Sequence, residues 1–305
     1  MIQYPSAVTL CEVGLRDGLQ NEKTLLTTQD KLELMRRIIA AGFPVVEVGS
    51  FMHPKKVPQM ADTDELFRQL GDVPGVELRA LVPNLRGVQR AIDCGCKKVK
   101  MNVSASRQHN LRNLNMTPEE SVARFSDSAA AAKEAGIAIS GSISMPFASP
   151  WEGRTPVEDV DAIIEAYLKL EITEISLSDT SGMGTPRQVE ELCSHVREKY
   201  PQATWWLHFH NTRGQAMANI IAAMSAGMTR FDTSFGGLGG CPFVPGAAGN
   251  IASEDVIHLL DEMGIQTGVD VTKVMDISRK TSELLGRGMD SYVLRAGRSC
   301  DLMME

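Results

Sequence analysis

The sequence predicts an α/β fold, a (β/α)8 TIM barrel with additional C-terminal helices, and three observations carry that expectation. Short apolar runs rich in β-branched residues alternate with amphipathic stretches along almost the whole chain, the pattern of repeated β-α units around a parallel sheet. Polar and charged residues fall at the C-terminal ends of several of these runs, where barrel enzymes place their chemistry. The length of 305 residues accommodates a barrel of about 250 residues with a helical tail. An open doubly wound sheet is the structural rival.

Eight strands are expected, at 8–14, 44–50, 76–82, 98–104, 137–144, 172–178, 203–210 and 230–235. Each is short enough to be buried on both faces. Helix starts are marked more sharply. After Thr27 and Thr28, Leu32, Met35 and Ile39 recur on one face, and Gly42 is a plausible stop. Thr-Pro-x-Glu/Gln opens three later helices, at 117–120, 155–158 and 185–188: Thr caps a free amide, Pro suits the first turn, and the Glu or Gln can close a capping box. The whole chain, 1–305, is expected to form one catalytic domain, with about 265–305 as a helical extension.

Composition narrows the partners. A formal net charge of -7 and no compensating basic run oppose nucleic-acid binding. The N-terminus lacks a basic segment followed by a long apolar one, and no 18 apolar residues run together, so neither a secretion signal nor a membrane span is expected. Six cysteines scattered at 11, 94, 96, 193, 241 and 300 read as reduced thiols of a cytoplasmic protein.

The residues able to do chemistry sit at strand ends. Arg16 and Asp17 end the first strand, Glu47 lies late in the second, Asp179 ends the sixth, and His208 and His210 end the seventh. Residues two apart on a strand point to the same side, so the two imidazoles can share one metal ion, with Asp17 and Asn250 adding oxygen ligands. Such mixed ligation suits Mg²⁺, Mn²⁺ or Co²⁺. The run Gly236 to Pro242, GGLGGCP, follows the eighth strand and carries Cys241 on a sharply bending or moving loop. His53, His109, His195, His258, Cys94 and Cys96 are read as packing or surface residues. Lys55 and Lys56, in the loop after the second strand, can touch an anionic group or form a solvated pair.

EVGLRDGLQNE at 12–22, SLSDTSGMGTP at 176–186, LHFHNTRGQAMAN at 207–219 and GGLGGCPFVPGAAGN at 236–250 together resemble the 3-hydroxy-3-methylglutaryl-CoA lyase family. The resemblance implies a divalent cation, Mg²⁺ or Mn²⁺, held by Asp17, His208, His210 and Asn250, an acyl-CoA substrate, and a homodimer. It further implies that Arg16 polarises the thioester carbonyl, that Cys241 acts in proton transfer, and that Glu47 and Asp179 orient the site. The reaction implied is a retro-aldol cleavage of 3-hydroxy-3-methylglutaryl-CoA or a related hydroxyacyl-CoA; a Claisen-type synthase of acyl-CoA and a 2-keto acid is the alternative. The sequence departs from the family's pattern at Ser140 and Ser142, where Arg and Tyr are usual, at Ser149, near a usual cysteine, and at Asn211, where Asp is usual. Loss of a cation and an aromatic ring from the fifth strand is expected to change the pocket's size and charge.

Overall fold

The computed structural model describes residues 3–240 and 249–301. Its elements run β1 (Thr9–Glu12), α1 (Thr28–Ala41), β2 (Val45–Ser50), α2 (Thr63–Leu70), β3 (Glu77–Leu81), α3 (Leu85–Asp93), β4 (Lys98–Ser104), α4 (Arg107–Leu114), α5 (Pro118–Glu134), β5 (Ala138–Ser144), a small ribbon of β6 (Ala148–Ser149) and β7 (Gly153–Arg154), α6 (Val157–Lys169), β8 (Glu174–Asp179), α7 (Pro186–Lys199), β9 (Thr204–Phe209), α8 (Ala216–Ser225), β10 (Arg230–Thr233), α9 (Ser253–Glu262), α10 (Val271–Leu285) and α11 (Tyr292–Ala296).

The eight strands expected from periodicity all form. They close into a parallel barrel in the order β1-β10-β9-β8-β5-β4-β3-β2, which excludes the open sheet. Apolar residues on the outer strand faces, such as Leu10, Val46, Val99 and Leu177, pack against the inner faces of the helices in one continuous core. From the tail, α10 packs between α1 and α9, and α11 packs on α9.

The barrel interior is different. Branched aliphatics usually fill such interiors; here Arg79, Lys100, Glu47 and Asp232 are buried. Arg79 lies 3.1 Å from Asp232 and 3.3 Å from Glu174, with its guanidinium 4.4 Å from the centroid of a Trp206 ring. Lys100 Nζ stands 2.7 Å from Glu47 and 3.2 Å from Asp232. Every one of these charges is paired, the condition for burial at tolerable cost. A shift of register between β2 and β3 falls between Glu47 and Gly49. Bulges of this kind re-aim a side chain, and this one lies beside the carboxylate that meets Lys100.

Local signals at the helix ends explain most boundaries. Thr27 and Asp30 form a capping box on α1, as do Thr117 with Glu120 on α5 and Thr185 with Gln188 on α7. The third Thr-Pro motif behaves otherwise. Thr155 donates its hydroxyl to Met145 O at 2.7 Å, and the helix begins one residue later with Pro156 as its cap. That hydroxyl is taken by the β5 loop, so no box closes. Gly42 ends α1 with φ of 100°, and a Cβ there would stand 2.5 Å from the Gly268 carbonyl oxygen. Both the backbone angle and the neighbour exclude a side chain. Gly42→Ala is expected to lower stability by about 1–3 kcal/mol, read as a lower urea midpoint at unchanged slope.

Candidate metal centre

The site is assembled at the C-terminal rim from chain segments far apart in sequence. After β1 the backbone makes a single wide helical turn, Gly14–Gly18, which presents Arg16 and Asp17 at the mouth. Glu12 fixes this turn: its carboxylate accepts from Gly14 N at 2.7 Å and Phe235 N at 3.1 Å, and from the Ser253 hydroxyl at 2.6 Å. Burial raises the Glu12 carboxyl to about 8, against the pull of those donors. Glu254 does the same for the next loop by accepting from Gly236 N at 3.0 Å.

The alternation of β9 turns both imidazoles inward. His210 Nε2 lies 3.1 Å from His208 Nε2 and 3.3 Å from Asp17 Oδ2, and His208 Nε2 is 3.8 Å from the same oxygen. Adjacent ligands of an octahedral ion at about 2.1 Å lie about 3 Å apart, so the three atoms are spaced to share a cation. Among the described residues, Asp17, His208 and His210 are a group able to hold a metal ion. Burial would raise the Asp17 carboxyl, but Arg16 and the two imidazoles outweigh it and hold it well below the ordinary carboxylate range. Asp17 is therefore ionised and able to accept a cation.

Asn250 joins them by an unusually close backbone approach. A Cβ on Gly249 would lie 2.0 Å from Gly237 O, and only glycine lets this segment fold back to bring the Asn250 amide within 2.9 Å of Asp17 Oδ2. Among the described residues, Asn250 Oδ1 is buried without a hydrogen-bond partner, an acceptor suited to a cation.

Arg16 is clamped between Asp17 and Glu47. Burial would raise Glu47 as well, but Arg16 and Lys100 bring it down to about 2, and its place is beneath Arg16, fully buried. Asp179 does not face the cavity. Its two oxygens accept from Gly184 N at 2.9 Å, Met183 N at 3.2 Å and the Ser181 hydroxyl at 3.1 Å, so it organises the loop after β8. Its backbone carbonyl accepts from His210 N at 3.3 Å. Cys241 lies outside the described residues; Gly240, just before it, lines the cavity.

A cavity of about 160 Å³ opens beside the triad, with Arg16, Asp17, His208 and His210 on one side and Asn102, Ser142, Ser144 and Ser178 among its other walls. Ser140 lies below it, buried and bonded to Val99 O; of the two departures on this strand, only Ser142 reaches the pocket. Interior cations come from β3 and β4 instead, as Arg79 and Lys100. Asn211 caps α8 by accepting from Ala216 N at 3.3 Å, and Ser149 Oγ accepts from Glu152 N at 3.1 Å in the ribbon. His109, read from sequence as packing, stacks on Trp151 and also lines the cavity; burial lowers it to about 4, so it is neutral at pH 7. Cys94 and Cys96 are buried, with thiols directed at backbone carbonyls.

Sequence reasoning passed over Asp232. It pairs with His208 in register across β9 and β10, its Oδ2 is 3.3 Å from His208 Nδ1, and Lys100 and Arg79 hold it ionised against the effect of burial. An acceptor at Nδ1 fixes the tautomer that leaves Nε2 free toward Asp17. The available signal was a lone acidic residue inside a strand otherwise destined for burial.

The HMGL-like family profile matches residues 7–280. The chain belongs to the HMGL-like family. It is 40% identical over 293 residues to the mitochondrial hydroxymethylglutaryl-CoA lyase of Gallus gallus, covering 96% of this chain and 98% of that protein. It is likewise 40% identical to the (R)-citramalyl-CoA lyase of Chloroflexus aurantiacus, covering 95% of each. Among solved structures, an HMG-CoA lyase from Acenitobacter baumannii in complex with coenzyme A and 3-methylmalate superposes with a TM-score of 0.95, at 38% identity and 100% coverage of both chains. No helix among the described residues is long and apolar enough to cross a membrane.

Replacing Asp232 with Asn keeps size but weakens the acceptor behind His208. Mn²⁺ affinity of this variant, measured by calorimetry, is expected to fall about 10–100-fold with circular dichroism unchanged.

Proposed function

We propose that this HMGL-like chain is a metal-dependent carbon-carbon lyase that cleaves a 3-hydroxyacyl-CoA, with 3-hydroxy-3-methylglutaryl-CoA as the first substrate, to acetyl-CoA and a keto acid. The observation that carries the reading is the convergence of His208 Nε2, His210 Nε2 and Asp17 Oδ2 on one point beside a guanidinium in a cavity large enough for a short acyl group. Asp17, His208, His210 and Asn250 would hold the cation. A bound Mg²⁺ or Mn²⁺ supplies Lewis acidity to the substrate's hydroxyl and orients its oxygens.

The protein's own groups do the rest. Arg16 stays charged at every pH of interest, and its clamp of Asp17 and Glu47 leaves it fixed where an enolate oxygen would develop, so it stabilises that charge without reorganising. Glu47 holds Arg16 in place from below, and Asp179 orders the loop that flanks His210. Cys241, on the glycine-rich segment that follows Gly240, is assigned the return of a proton to the acetyl carbon.

The thioester's long arm has a matching path. Met52, Pro83 and Leu114 line both this cavity and a neighbouring recess of about 550 Å³ that carries Lys56, Arg86 and Arg124. In a chain of net charge -7 such a cluster is a local anion site, suited to the nucleotide phosphates of coenzyme A. In this reading Lys56 supplies the anionic contact that its loop position allows. Buried thiols at Cys11, Cys94, Cys96 and Cys193, free of disulfides, fit a cytoplasmic setting.

The similarity to a citramalyl-CoA lyase makes (R)-citramalyl-CoA the second substrate to test. Protein loaded with Mg²⁺ or Mn²⁺ is expected to release acetyl-CoA from the former thioester, followed by coupled spectrophotometry, while His208→Ala releases none and keeps its fold by circular dichroism. Free CoA formed from acetyl-CoA and a 2-keto acid, with no cleavage of either thioester, contradicts the lyase reading in favour of a synthase.

A further inference from the structure

Two cations from neighbouring strands, Arg79 on β3 and Lys100 on β4, enter the barrel interior, and of the two Lys100 is the one that reaches the cavity. Arg79 lies deeper, against the ring of Trp206. Lys100 Nζ donates to Asp232 Oδ2 at 3.2 Å and stands 2.7 Å from Glu47 Oε2. An ammonium carries three N–H donors, so these two carboxylates leave at least one for the cavity. The next two strands round the barrel present serines inward near this depth, Ser140 and Ser142 on β5 and Ser176 and Ser178 on β8. Their short side chains leave room beside the ammonium.

An acyl group whose hydroxyl sits at Asp17, His208 and His210 places its remaining atoms toward this floor. An apolar substituent there would desolvate the ammonium and return no hydrogen bond, whereas an oxygen of the acyl group accepts one. Register adds a second argument. Lys100 is the partner of Ser140 across β4 and β5, and position 140 is where arginine is usual in the family that the sequence resembles. Register partners on adjacent strands point to the same face about 4.8 Å apart, so a long cationic side chain rooted at either carries its charge to the same floor. The Ser140 hydroxyl is bonded to Val99 O instead. We propose that Lys100 is a further substrate-binding residue: held by Glu47 and Asp232, it donates from β4 to an acyl oxygen of the thioester that the metal ion does not hold, in the place a β5 cation would take. The proposal rests on the acyl-CoA reading above and assigns that site a contact which the serine at position 140 cannot make.

Calorimetry on metal-free protein compares 3-hydroxy-3-methylglutaryl-CoA with free coenzyme A, so that the difference reads contacts to the acyl group without cleavage. In Lys100→Ser the thioester is expected to bind about 10–100-fold more weakly, with free coenzyme A bound as in wild type. A double variant, Lys100→Ser with Ser140→Lys, moves the same ammonium across the register pair and keeps every charge of the interior; it is expected to regain most of the lost affinity. Thioester binding unchanged in Lys100→Ser, an equal loss for free coenzyme A, or a loss that the double variant leaves unrepaired overturns the proposal. If Lys100→Ser loses its fold by circular dichroism, the double variant decides alone: thioester affinity near that of wild type supports the contact, and affinity no better than that of free coenzyme A overturns it. Acetyl-CoA release by metal-loaded wild type is read separately. Its absence, with the acyl contribution still lost in Lys100→Ser and regained in the double variant, removes the lyase reading and leaves the Lys100 contact standing.

Discussion

The rest of the site depends on the pairing of Asp232 with Lys100, Arg79 and His208 inside the barrel. Placing a carboxylate at the centre of a protein is tolerable only with cations in contact, and β3 and β4 supply them. That pairing has two consequences. It fills the barrel with an ionic plug instead of aliphatic layers, and it fixes the inner nitrogen of one imidazole so that the outer nitrogen is presented to Asp17. Glu47 extends the same network upward from Lys100 to Arg16. The cationic side chain at the mouth is thus positioned by the charges that hold the interior together.

A second set of carboxylates works outside this network. Glu12 and Glu254 are buried against backbone amides of the Gly14 turn and of Phe235 and Gly236, and burial raises both above the ordinary carboxylate range. They tie the first-strand turn to the start of the glycine-rich segment. The two pieces of chain that bring Asp17 and Asn250 together are more than 200 residues apart in sequence, and these contacts fix their separation. Rigidity is what a cation site and a guanidinium clamp need to act without reorganisation.

The fold was legible because strand length and helix capping are local. All eight strands could be placed within a few residues, and two of the three expected Thr-Pro capping boxes close; Thr155 fails because the Met145 carbonyl in the β5 loop takes its hydroxyl. The strand-end positions of Arg16, Asp17, His208 and His210 were legible for the same reason, since alternation alone determines which way a strand residue points. What sequence could not give is depth. Ser140 and Ser142 share a face, yet only the second reaches the cavity, and Asp179 looks like a cavity carboxylate until its loop amides are seen to occupy it. Lys100 and Asp232 meet at 3.2 Å across 132 positions, a relation no spacing rule contains. The cation expected to be missing from the fifth strand has counterparts on the third and fourth, which only the closed barrel brings into one interior.

Two imidazoles and one carboxylate at the barrel mouth are placed to share a single ion. Electron-nuclear double resonance on protein loaded with one equivalent of Mn²⁺ tests this directly. Couplings from two ring nitrogens are expected, reduced to one in His210→Ala. A bound ion with no nitrogen coupling, or coupling unchanged by that substitution, would contradict the shared centre and the chemistry built on it.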